Sequence, residues 1–215
     1  MKRKLFLALV ATFISMQAFS QFSWNVQAGA NMNTMTKVED AKMKFGYNFG
    51  VGMEYQFTDM WAFQTALMYT TKGFKVSEDG EKLTVTPSYL QIPLLAAVKF
   101  ELSENTKFVI NAGPYLAYGL GGKAKNEFDG EEIKVNIFSS TTIDGDKYEA
   151  QANRFDFGLQ LGAGFEFSQF LVGLNMEYGL AKVAKKDSMF EHLGKDGKKI
   201  SPKNFGLGLS VGYKF

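Results

Sequence analysis

The chain has 215 residues, a formal net charge of +2, 15% aromatic residues, 22 glycines, a single histidine and no cysteine. The missing cysteines exclude disulfide stapling and a lipidated anchor, and with one histidine they leave soft-metal sites without ligands. The near-neutral charge excludes the electrostatic footprint of a nucleic-acid binder.

Residues 1–20 open with Lys2, Arg3 and Lys4, continue through an apolar run from Leu5 to Ile14, and end Ala18-Phe19-Ser20. A basic start, a short apolar centre and small residues at the cut read as a cleaved signal peptide. The apolar run is shorter than the roughly 20 residues a membrane-spanning helix needs. Its removal takes away three positive charges, so the mature chain over 21–215, read as one domain, carries −1 instead of +2.

From there, strands with strict period-two alternation recur. The first covers Trp24 to Met32, with Trp24, Val26, Ala28 and Ala30 opposite Asn25, Gln27, Gly29 and Asn31. The second, Phe45 to Phe57, sets Phe45, Tyr47, Phe49, Val51, Met53 and Tyr55 against Gly46, Asn48, Gly50, Gly52 and Glu54. The third and fourth run from Trp61 to Thr71 and from Tyr89 to Glu101, the fifth from Lys107 to Leu120. A sixth from Arg154 to Phe167 and a seventh from Phe170 to Leu180 lead to the last, Asn204 to Phe215, which reads NFGLGLSVGYKF. Three connections are short, at 58–60, 103–106 and 168–169; the other four, 33–44, 72–88, 121–153 and 181–203, are long and polar. Asp-Gly pairs at 79–80, 129–130, 144–145 and 196–197 all fall in the long loops and predict hairpins within them.

Eight antiparallel strands with short turns at one end and long loops at the other predict an all-β, up-and-down transmembrane barrel in the outer membrane. Both termini and the short turns then lie on the periplasmic side, and the long loops face out. A soluble barrel with an apolar interior is the inverse reading, and side-chain size decides against it. The interior of eight strands is only just wide enough for side chains. Gly, Asn, Gln and Glu fit it; a full wall of Phe, Tyr, Leu and Trp does not. The aromatics also gather in two girdles, represented by Trp24, Tyr55 and Trp61 at the turn end and Tyr69, Tyr118 and Tyr178 at the loop end. On the polar face, Glu54, Lys99, Glu101, Asp156, Glu166, Glu177 and Lys214 form the expected lumen network, with Lys107 and Arg154 as further cations. Pro93 and Pro114 interrupt the fourth and fifth strands, and a shared bulge is expected there, since a closed barrel has no edge where a missing N–H is harmless.

Ser88-Tyr89-Leu90-Gln91-Ile92-Pro93-Leu94-Leu95, Ala112-Gly113-Pro114-Tyr115-Leu116-Ala117-Tyr118, Asp156-Phe157-Gly158 with Gly162-Ala163-Gly164-Phe165-Glu166-Phe167, and the Gly-rich last strand appear in this order. In this, the chain resembles the PorT-like outer-membrane β-barrel family of Bacteroidota. The resemblance implies an eight-stranded barrel whose last strand, through Leu209, Val211, Tyr213 and Phe215, is the insertion signal read by the barrel-assembly machinery after periplasmic chaperones deliver the chain. The family's namesake assists protein secretion, which makes secretion components candidate partners; outer-membrane lipid and lipopolysaccharide are the expected surroundings.

An enzyme would need a constellation of groups. His192, Ser188 and Glu191 share one loop and are the residue types that a lipid-modifying hydrolase uses, but spacing within a loop does not bring them to a lipid ester at the barrel wall, and a solvated histidine is the expectation. The acidic groups Glu78-Asp79-Glu81 and Asp129-Glu131-Glu132 lack calcium-loop spacing, and Asp187-Ser188-Met189 resembles a short O-glycosylation motif. The expectation is a barrel with a filled lumen, without cofactor, metal site or catalytic activity, structural or accessory to secretion or surface assembly. A narrow pore for small solutes is the alternative, and a lipid-modifying enzyme stands behind it.

Overall fold

The computed structural model describes residues 21–38, 40–78, 81–128, 131–143, 146–148, 152–185 and 201–215. The expected leader at 1–20 and the loop with His192, Ser188 and Glu191 lie outside the described residues.

The strands are β1 (Phe22–Met35), β2 (Lys42–Gln56), β3 (Trp61–Thr71), β4 (Phe74–Glu78), β5 (Glu81–Ser103), β6 (Thr106–Phe128), β7 (Glu131–Asn136), β8 (Thr141–Ile143), β9 (Asp146–Tyr148), β10 (Phe155–Phe167), β11 (Phe170–Gly179) and β12 (Asn204–Lys214). β1 pairs with β2, β2 with β3, β3 with β5, β5 with β6, β6 with β10, β10 with β11, β11 with β12, and β12 returns to β1, all antiparallel. The ring therefore closes on eight strand positions, and no position of the ring is left with an unpaired edge. All eight expected strands are present.

β4 continues β3 toward the loop end, since both run between β2 and β5. β5 and β6 extend together well beyond the barrel wall and pair as far as Lys82↔Glu127. β7 folds back along β6, and β8 and β9 form a separate small hairpin. Glu78↔Glu81, Phe128↔Glu131 and Ile143↔Asp146 pair directly, as hairpins around three of the Asp-Gly signals require; the Asp-Gly residues themselves, like 196–197, lie outside the described residues.

The two faces sort as the alternation requires. Phe45, Phe49, Leu67, Tyr118, Leu159, Leu174 and Val211 are exposed on the outer wall, whereas Asn31, Glu54, Gln91, Lys99 and Asp156 are buried inside. An apolar exterior around a polar interior is stable only when hydrocarbon, not water, surrounds the wall. Rings touch from strand to strand near the turn end: Phe100, Phe108, Phe165 and Phe167 form one chain of contacts, and Phe170, Tyr213 and Phe215 another. Tyr55 and Tyr213 direct their hydroxyls to Gln21 and Gln169 at the rim, the placement expected of amphipathic rings at a membrane–water boundary. Of the expected girdle, Trp61, Tyr118 and Tyr178 are exposed and Trp24, Tyr55 and Tyr69 half-buried.

The shared proline bulge is not formed. Across Pro93 and Pro114 the β5–β6 register runs unshifted from Ile92↔Leu116 to Ala96↔Ala112. The missing N–H groups are absorbed locally. The β3–β5 ladder skips two positions, opposite Pro93 and Ile92, the β5–β6 ladder skips two, opposite Pro114 and Gly113, and the hydroxyl of Thr65 donates to the Pro93 carbonyl at 2.8 Å. Irregularities fall elsewhere: between Ser88 and Tyr89, and between β2 and the third strand position, whose register moves by one residue between Asn48↔Thr70 and Met43↔Phe74. The latter slip coincides with Gly73, whose φ is +132° and where a Cβ would meet the Val85 carbonyl at 2.0 Å. Only glycine supplies both the backbone angle and the close approach. The turn it makes delivers Phe74 to the interior.

Phe74, Val85, Tyr89, Tyr115, Ile137, Phe138 and Val183 then pack into an apolar cluster over the loop end of the barrel. This cap comes largely from segments that read as polar loops in the sequence.

Candidate functional site

The lumen gathers buried polar and charged side chains of the described residues into two charged storeys. Near the turn end, β5 contributes Lys99, β2 Glu54, β10 Glu166 and β12 Lys214. The Lys99 ammonium donates to Glu54 and, at 2.8 Å, to Glu166; Lys214 donates to the same two carboxylates at 3.2 and 2.9 Å. Gln64 donates to the remaining Glu54 oxygen at 2.8 Å, and Asn111 to Gln64 at 2.8 Å. Two cations and two anions thus close a ring of charge-assisted bonds across the barrel. Strand pleat explains the convergence: each residue falls on the inward parity of its own strand.

The second storey lies toward the loops. Lys72, at the Gly73 turn, sits 3.0 Å from Glu177 and 3.6 Å from Asp156, with its ammonium 4.3 Å from the centre of the Tyr115 ring. Asp156 accepts from Asn204 at 2.8 Å and Tyr115 at 3.2 Å, and Gln91 donates to Glu177 at 2.6 Å. Side-chain burial of Lys72 and Asp156 is nearly complete, 2% and 1% exposed. Removing such groups from water is tolerable only because each charge meets an opposite one; the Lys72 ammonium and one Asp156 oxygen make no hydrogen bond within the protein.

Between the storeys lies a cavity of about 170 Å³, lined by Asn25, Gln27, Asn48, Gln160, Asn175 and Ser210 among others. It has room for on the order of ten waters. Buried acceptors on Gln91 and Asn111 lack protein partners, a fitting place for such waters.

Of the residues expected in the lumen, Glu54, Lys99, Glu166 and Lys214 meet in the first storey and Asp156 and Glu177 in the second. Glu101 does not join them: it is exposed at the turn end, where it pairs in register with Lys107. The Arg154 guanidinium donates to the Gly119 carbonyl at 2.9 Å and covers the Phe138 ring. The cation that serves Asp156 and Glu177 is Lys72, which the sequence reading assigned to a loop. A signal for it existed: Ala62, Gln64, Ala66, Met68 and Thr70 alternate inward on β3, and Lys72 continues that parity. Leu209, Val211 and Phe215 are exposed on the outer wall and Tyr213 is half-buried, while β12 closes the seam against β1.

A family model described as an outer membrane protein beta-barrel domain matches residues 15–185. The chain belongs to this family. It is therefore an outer-membrane β-barrel protein, and β12, beyond the matched range, completes the ring. Among solved structures, it is similar to Ail, the attachment invasion locus protein of Yersinia pestis, at 18% identity over 91% of this chain and 99% of that one, with a TM-score of 0.42. Neisserial surface protein A follows at 15% identity, 89% and 97% coverage and 0.42. OprG from Pseudomonas aeruginosa has 14% identity, 90% and 95% coverage and 0.49. No curated protein sequence matches the chain.

Proposed function

We propose that this outer-membrane barrel is a non-conducting, non-catalytic element of the cell envelope, of the PorT-like kind, that acts as an accessory to secretion or surface assembly. The observation that carries this is the closure of the lumen by two charged storeys beneath an apolar cap. A lumen built for passage keeps a continuous wet path, and a catalytic lumen keeps a reachable cleft with a nucleophile or base. Here the inward side chains bond one another, leaving outward loops and periplasmic rim as the working surfaces. In this reading, both termini are periplasmic, the assembly machinery recognises the last strand, and partners engage the cap or the rim.

The runner-up, a narrow pore, draws on the polar cavity between the storeys. The test of the accessory role is mild-detergent extraction of tagged protein from outer membranes, followed by identification of what co-purifies. A stoichiometric envelope or secretion protein, retained through high salt, is the expected result. Recovery of the barrel alone after in-cell crosslinking would reject the accessory role.

A further inference from the structure

The pair formed by Lys72 and Asp156 is almost completely buried yet incompletely bonded. The Lys72 ammonium makes no hydrogen bond within the protein, although Glu177 lies 3.0 Å away and Asp156 3.6 Å away. Asp156 is lopsided: Oδ2 accepts from Asn204 at 2.8 Å and from Tyr115 at 3.2 Å, while Oδ1 has no partner. The lower storey differs, since Lys99 and Lys214 each donate to both of its carboxylates.

The surroundings of the upper pair are aromatic on one side and polar on the other. The Lys72 ammonium stands 4.3 Å from the centre of the Tyr115 ring and 5.7 Å from that of Tyr89, and both rings are fully buried, as is Phe74 beyond the Gly73 turn. Glu177 instead borders the polar cavity, where Gln91 donates to it at 2.6 Å. A lysine amine, a carboxyl group beside it and a second carboxylate within reach of that amine are the groups that an amide condensation needs. Fixed proximity replaces the bimolecular encounter, and the cap excludes the bulk water that would solvate the two reactants as separate ions.

We propose that Lys72 and Asp156 condense into an intramolecular amide cross-link, with Glu177 as the general base. Glu177 takes a proton from Lys72 Nζ, and the freed lone pair attacks the Asp156 carboxyl carbon. The donors of Asn204 and Tyr115 stabilise the charge that gathers on Oδ2. A C–N bond forms and the bond to Oδ1 breaks; Oδ1 leaves as water with two of the Nζ protons, carried by Glu177, and the third stays on the amide nitrogen. Ammonium and carboxylate thus become amide and water. No oxidant or co-reactant is consumed, Glu177 ends as it began, and the cavity that it lines receives the water. The bond ties the loop end of the third strand position to β10 and closes the chain between residues 72 and 156, a covalent constraint in a protein without cysteine.

The test is peptide mapping by mass spectrometry of the protein purified from outer membranes, boiled and digested with trypsin. Trypsin does not cut after an acylated lysine. The expected product is therefore one branched species, residues 45–75 joined to 155–182 and lighter than their sum by one water, with fragment ions placing the branch at Lys72 and Asp156. Lys72→Arg keeps the positive charge without an amine to acylate and gives 45–72 and 155–182 as separate peptides. Glu177→Gln keeps the shape but removes the base, so its cross-linking after refolding from urea is slower by about a hundredfold. The fast-migrating unboiled band of each variant on electrophoresis verifies that it is folded. Separate, unmodified 45–72 and 155–182 peptides from the wild-type protein overturn the proposal. A branch at Glu177 overturns the choice of Asp156, and cross-linking at the wild-type rate in folded Glu177→Gln overturns the role of the base.

Discussion

Replacing Lys99 with methionine is expected to cost about 3–5 kcal/mol of unfolding free energy, the range for breaking a buried ion pair from one side. Lys99 is the deepest charge of the lower storey, its side chain 1% exposed, and it holds both Glu54 and Glu166. Methionine matches its length and keeps the stem packing, so the loss reports the charge. Two carboxylates would then share Lys214 alone, which is 19% exposed and bonded at longer distances than Lys99. Chemical unfolding of the refolded barrel in lipid or detergent measures the effect. The companion variant Lys99→Met/Glu54→Gln/Glu166→Gln should recover most of the loss, since it removes the uncompensated charges along with their partner. A loss under about 1 kcal/mol for Lys99→Met alone would mean that the storey is screened as a surface pair is, and that the lumen is wetter than its geometry implies.

The second large effect concerns the end of the chain. A protein ending at Lys214, without Phe215, is expected to be largely absent from the outer membrane in cells, yet to refold in detergent nearly as well as wild type. The Phe215 ring is 57% exposed and touches Tyr213, with centroids 5.2 Å apart. Such a contact contributes about 0.5–1.5 kcal/mol, too little to unfold the barrel. Its backbone N–H bonds the Trp24 carbonyl at 2.8 Å, one bond in the β1–β12 seam. A severe cellular defect with a mild defect in vitro therefore separates recognition by the assembly machinery from mere completion of the aromatic band. Normal abundance in the outer membrane would reduce Phe215 to that structural role. Membrane fractions and in vitro unfolding midpoints, taken on the same variant, give the comparison.

The strands and their facing were legible because period-two alternation is a local signal: Phe155, Phe157, Leu159 and Leu161 need only their own neighbours to declare an outer face. Lumen charges followed from the same parity, which is why Lys99, Glu54, Glu166 and Lys214 could be grouped before their strands were paired. What the sequence hid depends on pairing. The slip of β2 against the third strand position is a relation between two segments, and neither segment announces it alone. Pro93 and Pro114 pointed to a bulge, yet skipped ladder bonds and the Thr65 hydroxyl accommodate them without a register change. The cap was hidden for a different reason. Phe74, Val85, Ile137 and Phe138 come from separate short runs within polar loops, each too brief to read as a strand, and become a core only when folded together over the lumen. Glu101 carried the right parity but lies a turn too far toward solvent, where parity no longer means burial.

The proposed function makes one physical claim: the barrel is closed to solute flow by its own side chains. Planar-bilayer recording of pure, refolded protein tests it most directly. The account predicts a quiet membrane across the voltage range that the bilayer withstands. The Lys99→Met/Glu54→Gln/Glu166→Gln variant should remain quiet as well, because Lys72, Asp156, Glu177 and the apolar cap still close the outer half. Steady, reproducible conductance steps from the wild-type protein would contradict it and make the polar cavity between the storeys part of a pore.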